Sequence, residues 1–144
     1  MTYVAIFISW TFVIYWMHRL VHCIPFLQTI HADHHRYVNN HDIGWHWSNV
    51  FLYNDTWMST LDLWITEVIP TMIISFFFGY WLFVIYYFWA AFIQETIEHN
   101  NKFDLYPWLT SGKWHMMHHK NNSCNYGVFF PIWDILFNTR KVVN

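Results

Sequence analysis

Residues 68–93 read VIPTMIISFFFGYWLFVIYYFWAAFI, 26 consecutive positions without a charged side chain. As one straight helix the run would extend about 39 Å, enough to cross a hydrocarbon core of about 30 Å once, with tilt. Pro70 and Gly79 interrupt it, and Gly79 falls near its middle. Whether the chain crosses once or turns back decides the fold, and the polar residues on either side answer the question. His31, His34 and His35 precede the run; His99, His115, His118 and His119 follow it. If those imidazoles act together they lie on one side of a bilayer, so the chain must return to the side it left. The run is therefore read as a hairpin: one helix from about Trp57 to Phe78, a turn near Gly79, and a second helix from Tyr80 to about Asn100.

Composition supports a membrane setting. Of 144 residues, 56% are hydrophobic, 24% aromatic and only 11% charged, against about 25% charge in an ordinary soluble domain. The length allows a single domain spanning residues 1–144. Seven basic against nine acidic residues give a net charge of −2, which excludes nucleic-acid binding through a basic face. Cys23 and Cys124 form no CxxC pair, so neither a disulfide scaffold nor a thiolate metal site is expected. Thr2 to Met17 form a first apolar segment without the basic leader or small-residue cleavage site of a signal peptide. At about 24 Å it is expected to cross with a snorkelling end or to enter part-way.

Histidine is the outlier, with eleven copies. Nine fall in tight groups: His18 with His22, then His31, His34 and His35, then His99, then His115, His118 and His119. Helical residues three and four apart share a face, so each HxxHH box aims imidazoles together, as a helix-borne metal site requires. Thr11 and Tyr15 continue the His18–His22 stripe toward the N-terminus. Nine ligands overfill one ion and suit two. Imidazole donors with few carboxylates and no thiolate favour iron, zinc or copper over magnesium or calcium. Glu95, four residues before His99, could ligate or hydrogen-bond; Asp33 and Asp134 are candidates to accept an imidazole N–H and fix its tautomer. His41 and His46 stand outside the boxes and read as polar loop contacts. All seven basic residues (Arg19, Arg36, Lys102, Lys113, Lys120, Arg140 and Lys141) fall on the histidine side of the hairpin, which predicts a cytosolic metal site. The fold expected is an all-α integral-membrane bundle with a membrane hairpin beneath that site.

The order of these motifs resembles the fatty acid hydroxylase/sterol desaturase superfamily of membrane histidine-box enzymes. The likeness runs from Tyr15-Trp16-Met17-His18-Arg19-Leu20-Val21-His22 through Pro25-Phe26-Leu27 and His31-Ala32-Asp33-His34-His35. It continues at His99-Asn100 and His115-Met116-Met117-His118-His119, then Asn125-Tyr126-Gly127 and Trp133-Asp134-Ile135-Leu136-Phe137-Asn138-Thr139. The resemblance implies that the nine boxed histidines ligate two non-haem metal ions, iron foremost with zinc also compatible. It further implies that O2 and two electrons hydroxylate or desaturate a lipid such as a fatty acyl chain, sphingolipid or sterol. No flavin, nucleotide, haem-attachment or iron–sulfur motif is present in the sequence, so family likeness points to an external donor of cytochrome b5 or ferredoxin type. The membrane would be the endoplasmic reticulum in a eukaryote or the inner membrane in a bacterium.

Three departures from the family pattern stand out. Asn138 replaces a common glycine, Glu95 stands where some members place a histidine, and only Thr2 to Met17 precede the first box. The last feature suggests a substrate tunnel that is incomplete or finished by a homo-oligomer, or activity that has been lost. Along the hairpin, Phe83, Tyr87, Trp89 and the small pair Ala90-Ala91 read mainly as lipid-facing and helix-packing residues, with an acyl channel as the other reading. A non-catalytic or transport-type metal-binding membrane protein is the alternative from another class. Transport would place ligands near mid-membrane, whereas residues 68–93 contain none. A bis-histidine haem protein would use single facing histidines in place of boxes.

Overall fold

The computed structural model describes residues 2–142. The first helix, Thr2–Val21, spans 20 residues. It therefore reaches about 30 Å, longer than the segment to Met17 would give, because the helix runs on through His18-Arg19-Leu20. A bend at 22–24 leads to the second helix, Pro25–Asn40, where Pro25 occupies the first turn, a position whose N–H has no helical acceptor in any case. A short 3-10 turn, Trp47–Phe51, precedes the hairpin.

The hairpin's outgoing arm is one continuous 22-residue helix, Trp57–Phe78. Thr56 caps it: the Thr56 Oγ1 accepts from the Ser59 backbone N–H at 3.1 Å. The returning arm covers residues 81–98. Both arms contain a stretch wound as π-helix, Trp64–Val68 in one and Ala90–Glu98 in the other. Gly79 makes the turn at φ 112°, and a Cβ built there would stand 2.9 Å from Trp81 Cδ1. Only glycine adopts that backbone without strain. Two helices, Thr2–Val21 and Trp57–Phe78, are long and apolar enough to cross a membrane.

The core lies where the first helix meets both arms. Trp10 and Ile14 pack with Leu63, Val68, Leu82, Tyr86 and Ala90, joined by Val128 and Phe129 from the C-terminal segment. In lipid, such packing is held by van der Waals fit and interhelical hydrogen bonds rather than by apolar burial from water. The Trp10 indole N–H donates to Thr71 Oγ1 at 2.8 Å, tying the first helix to the outgoing arm. Outward from this core Ile73, Phe76, Phe77, Tyr80, Val84 and Phe88 are half or more exposed (Ile85, at 48%, just less). A contiguous apolar belt of this kind needs a lipid neighbour.

Two further short helices, Lys113–Lys120 and Ile132–Leu136, follow among the described residues. The first lies against the second helix, which brings the two HxxHH boxes face to face at the ends of the membrane helices.

Candidate metal centre

Nine imidazoles converge at this junction. They sort into two groups whose donor atoms lie within 4.8 Å of one another: His18, His22, His31, His35 and His118 in one, His34, His99, His115 and His119 in the other. Helix geometry explains the partition. The i, i+4 pairs His18/His22, His31/His35 and His115/His119 each share a face and a group. His34 and His118 sit next to His35 and His119 and point about 100° away, so each box serves both groups. The stacked rings of His35 and His119, 4.2 Å between centroids, join the two halves.

The protonation pattern shows what the groups lack. His18 Nδ1 lies 2.8 Å from the Tyr126 carbonyl, and His118 Nδ1 lies 2.8 Å from the Cys124 carbonyl. A carbonyl only accepts, so both Nδ1 atoms carry the proton and both Nε2 atoms present lone pairs. Those two Nε2 atoms are 3.0 Å apart, and His22 Nε2 is 3.1 Å from His118 Nε2. His31 directs Nδ1 to Asp62 Oδ2 at 2.8 Å and places Nε2 2.9 Å from His35 Nε2. In the other group His119 and His115 bring their Nε2 atoms to 2.9 Å, and His99 Nε2 is buried without a partner. Facing lone pairs repel unless a cation sits between them. Ligands about 2.1 Å from a metal stand about 3.0 Å apart at right angles and about 3.4 Å apart at tetrahedral corners. The observed spacings therefore suit coordination beyond four, and the residues fit a pair of metal ions.

Electrostatics agree. Loss of water on burial, followed by mutual repulsion, holds His31, His34, His115, His118 and His119 well below the ordinary imidazole range. Burial lowers His22 to about 4, and burial with the neighbouring imidazoles lowers His35 to about 3. At neutral pH these rings are neutral, the state in which they bind metal. His99 differs: burial opposes its charge, but the adjacent Glu95 outweighs that and raises it to about 9, so an ion bound there would displace a proton.

Around the imidazoles lies a set of carboxylates. Glu95 accepts from His99 Nδ1 at 3.1 Å through one oxygen and from Asn54 Nδ2 at 2.8 Å through the other, so it holds His99. Asp62, fixing His31, and Glu98, whose Oε1 is 3.4 Å from His115 Nδ1, were not foreseen from the sequence. The available signal was their position: both are acids at the ends of apolar helices, where an unpaired charge is expensive.

Asp33 does not take the role expected of it. One of its oxygens pairs with Arg36 and the other accepts from Thr56 Oγ1 at 2.6 Å. Two positions beyond His31, it points to the opposite side of the helix. Asp134 also contacts no imidazole. It accepts from the backbone N–H groups of Tyr126 and Gly127 at 2.8 and 2.9 Å and from Thr139 at 2.7 Å. Its effect on the site passes through Tyr126, whose carbonyl anchors His18. A Cβ on Gly127 would come 2.8 Å from Asp134 Oδ2, so the clamp needs a glycine there. His41 and His46 lie apart, on the Tyr37 carbonyl at 2.9 Å and Ser48 Oγ at 2.8 Å.

The fatty acid hydroxylase family profile matches residues 3–139, a stretch that contains every one of these imidazoles and their carboxylate partners. The chain belongs to the fatty acid hydroxylase family. Among curated relatives, two Delta(7)-sterol 5(6)-desaturases of Aspergillus fumigatus are similar to it. For erg3B the identity is 28% over 131 residues, 90% of this chain and 36% of the relative. For erg3A it is 28% over 141 residues, 96% of this chain and 37% of the relative. This hydroxylase-family chain thus spans little more than a third of the length of those desaturases. No solved structure matches it significantly. Like its family, it is an integral membrane protein with its histidine boxes gathered at the helix ends.

Proposed function

We propose that this member of the fatty acid hydroxylase family is a membrane-bound, O2-dependent oxidoreductase that hydroxylates or desaturates a lipid at a non-haem di-iron centre. The observation that carries this is the sorting of nine imidazoles into two adjacent groups with ring nitrogens turned inward. Hydroxylation consumes a C–H bond, O2, two electrons and two protons and yields an alcohol and one water. Desaturation consumes two vicinal C–H bonds with the same O2, electrons and protons and yields an alkene and two waters. Bound metal would supply the O2 reduction and the oxidising power that no side chain has. His18, His22, His31, His35 and His118 would hold one ion and His34, His99, His115 and His119 the other.

The remaining residues orient the imidazoles. Asp62, Glu95 and the Tyr126 and Cys124 carbonyls hold Nδ1 protons so that Nε2 is free to ligate. A small pocket of about 30 Å³ beside the imidazoles is lined by His18, Asp62, Glu67 and Glu98, with Leu63 and Val128 as its apolar members. Arg19, Arg36, Lys113 and Lys120 belong to the box-bearing end, which supports a cytosolic site by the positive-inside rule. The electrons would come from a separate donor of cytochrome b5 or ferredoxin type. Ligands gathered at the helix ends rather than at mid-span favour oxidation over metal transport.

Metal analysis of the protein purified in detergent tests the reading. About two iron ions per chain are expected, with His118→Ala losing at least one. Lipid profiling of cells expressing each form should show a hydroxylated or newly unsaturated lipid only with the unaltered chain. Stoichiometric haem, or iron binding that ignores His118, would overturn the proposal.

A further inference from the structure

The loop between the second helix and the hairpin forms an open pocket of about 790 Å³, separate from the pocket under the imidazoles. Its chemistry is one-sided. Trp45, Trp47, Phe51 and Tyr53 supply aromatic faces, Asp42 and Asp55 supply carboxylates, and neither Lys nor Arg lines it. Asp55 is held at φ 44°, in the left-handed region, which aspartate tolerates better than most residues. Its Oδ2 is buried and has no hydrogen-bond partner. A carboxylate-bearing wall beside several aromatic faces, with no basic residue, is what a cation with a greasy or methylated surface requires.

We propose that this pocket binds the quaternary ammonium headgroup of a choline-type lipid, with Asp55 as the counter-charge and Trp45, Trp47 and Tyr53 as cation–π faces. Continuity with the bilayer surface singles out a lipid over a soluble cation. The Trp45 indole N–H donates to the Ala91 carbonyl at 3.0 Å, anchoring the loop to the returning arm. Next to Ala91, Phe92 is exposed and stacks on the exposed Phe88, 5.9 Å between centroids. A hydrocarbon chain leaving the pocket therefore finds an apolar track along that arm. The pocket also borders the metal centre: Asn54, beside Asp55, donates to Glu95, which holds His99. If the chain oxidises a lipid as proposed above, the inference selects lipids with a choline headgroup over sterols, which have no ammonium group, and to that extent rests on that reading. Burial, with Glu95 nearby, pushes the Asp55 carboxyl up to about 7, so a bound cation would also draw it to its ionised form.

The test uses the full chain, stripped of metal, in an uncharged maltoside detergent, with tryptophan fluorescence as the readout. Lysophosphatidylcholine should bind about tenfold or more tightly than lysophosphatidylglycerol of the same chain length. Asp55→Asn and Trp47→Ala should each abolish that preference while helical circular dichroism and metal uptake stay intact. Equal binding of the two lipids, or a preference that survives both substitutions, overturns the proposal. Choline chloride binding as tightly as the lysolipid would assign the site to a free cation and overturn the lipid assignment. Because binding is read without metal, this inference and the oxidase reading can fail separately.

Discussion

A buried imidazole has two nitrogens, and the partner of one decides the use of the other. Asp62 fixes His31, and Glu95 fixes His99, each through Nδ1. Neutralising the acid keeps the shape and removes the charge that raises ligand basicity. Asp62→Asn is therefore expected to weaken metal binding by about 10- to 100-fold while leaving helix content unchanged, measured by competition with a chelator. Asp33→Asn, by contrast, should leave affinity unaltered, because Asp33 faces Arg36 and Thr56. The contrast separates an acid that holds a ligand from one that merely adjoins it in sequence. It also marks what could be read in advance. The spacing of the boxes identifies the imidazoles, because i, i+4 periodicity is local. Asp62 meets His31 across 31 positions of chain, a distance over which no periodicity carries information.

At the level of helices, the hairpin was legible for a topological reason. Histidines on both sides of one apolar run must share a face, so the run must turn, and Gly79 is the residue able to turn it. What could not be read are the two π-wound stretches, Trp64–Val68 and Ala90–Glu98. A π-turn admits one more residue per hydrogen-bonded ring and leaves no compositional mark. These stretches carry Glu67, Gln94, Glu95 and Glu98, all buried, and Gln94 Nε2 donates to Glu67 Oε1 at 3.0 Å between them. The arms are thus joined through polar groups at the level where they meet the imidazoles. The turn itself is open to test. Gly79→Val forces a branched side chain into φ 112° and against Trp81, a strain of about 1–3 kcal/mol. The variant should melt at lower temperature in detergent, whereas Gly44→Ala, where a Cβ would meet nothing within 4 Å, should melt as the unaltered chain does.

For the molecule as a whole, the imidazole cluster is a liability that a metal relieves. The first helix, second helix, returning arm and Lys113–Lys120 helix all contribute to or abut it, so anything that charges these rings loosens every element at once. In the unfolded chain a histidine takes up its proton near pH 6.5, but His22 resists until about 4 and His35 until about 3. Between those limits the unfolded state binds more protons than the folded one, so stability rises with pH there. The contribution is complete above about pH 6.5 and is lost as the pH falls through 4 and toward 3. Carboxyls raised by burial, Asp55 to about 7 and Asp134 among them, act in the opposite sense, but more imidazoles are lowered than carboxyls are raised. Metal-free protein should accordingly melt at progressively lower temperature as the pH is taken from about 7 to about 4, and loaded protein should release its ions over the same interval. A melting temperature independent of pH across that range would mean that the rings are not held neutral by burial, and the inward-facing lone pairs on which the metal assignment depends would not exist.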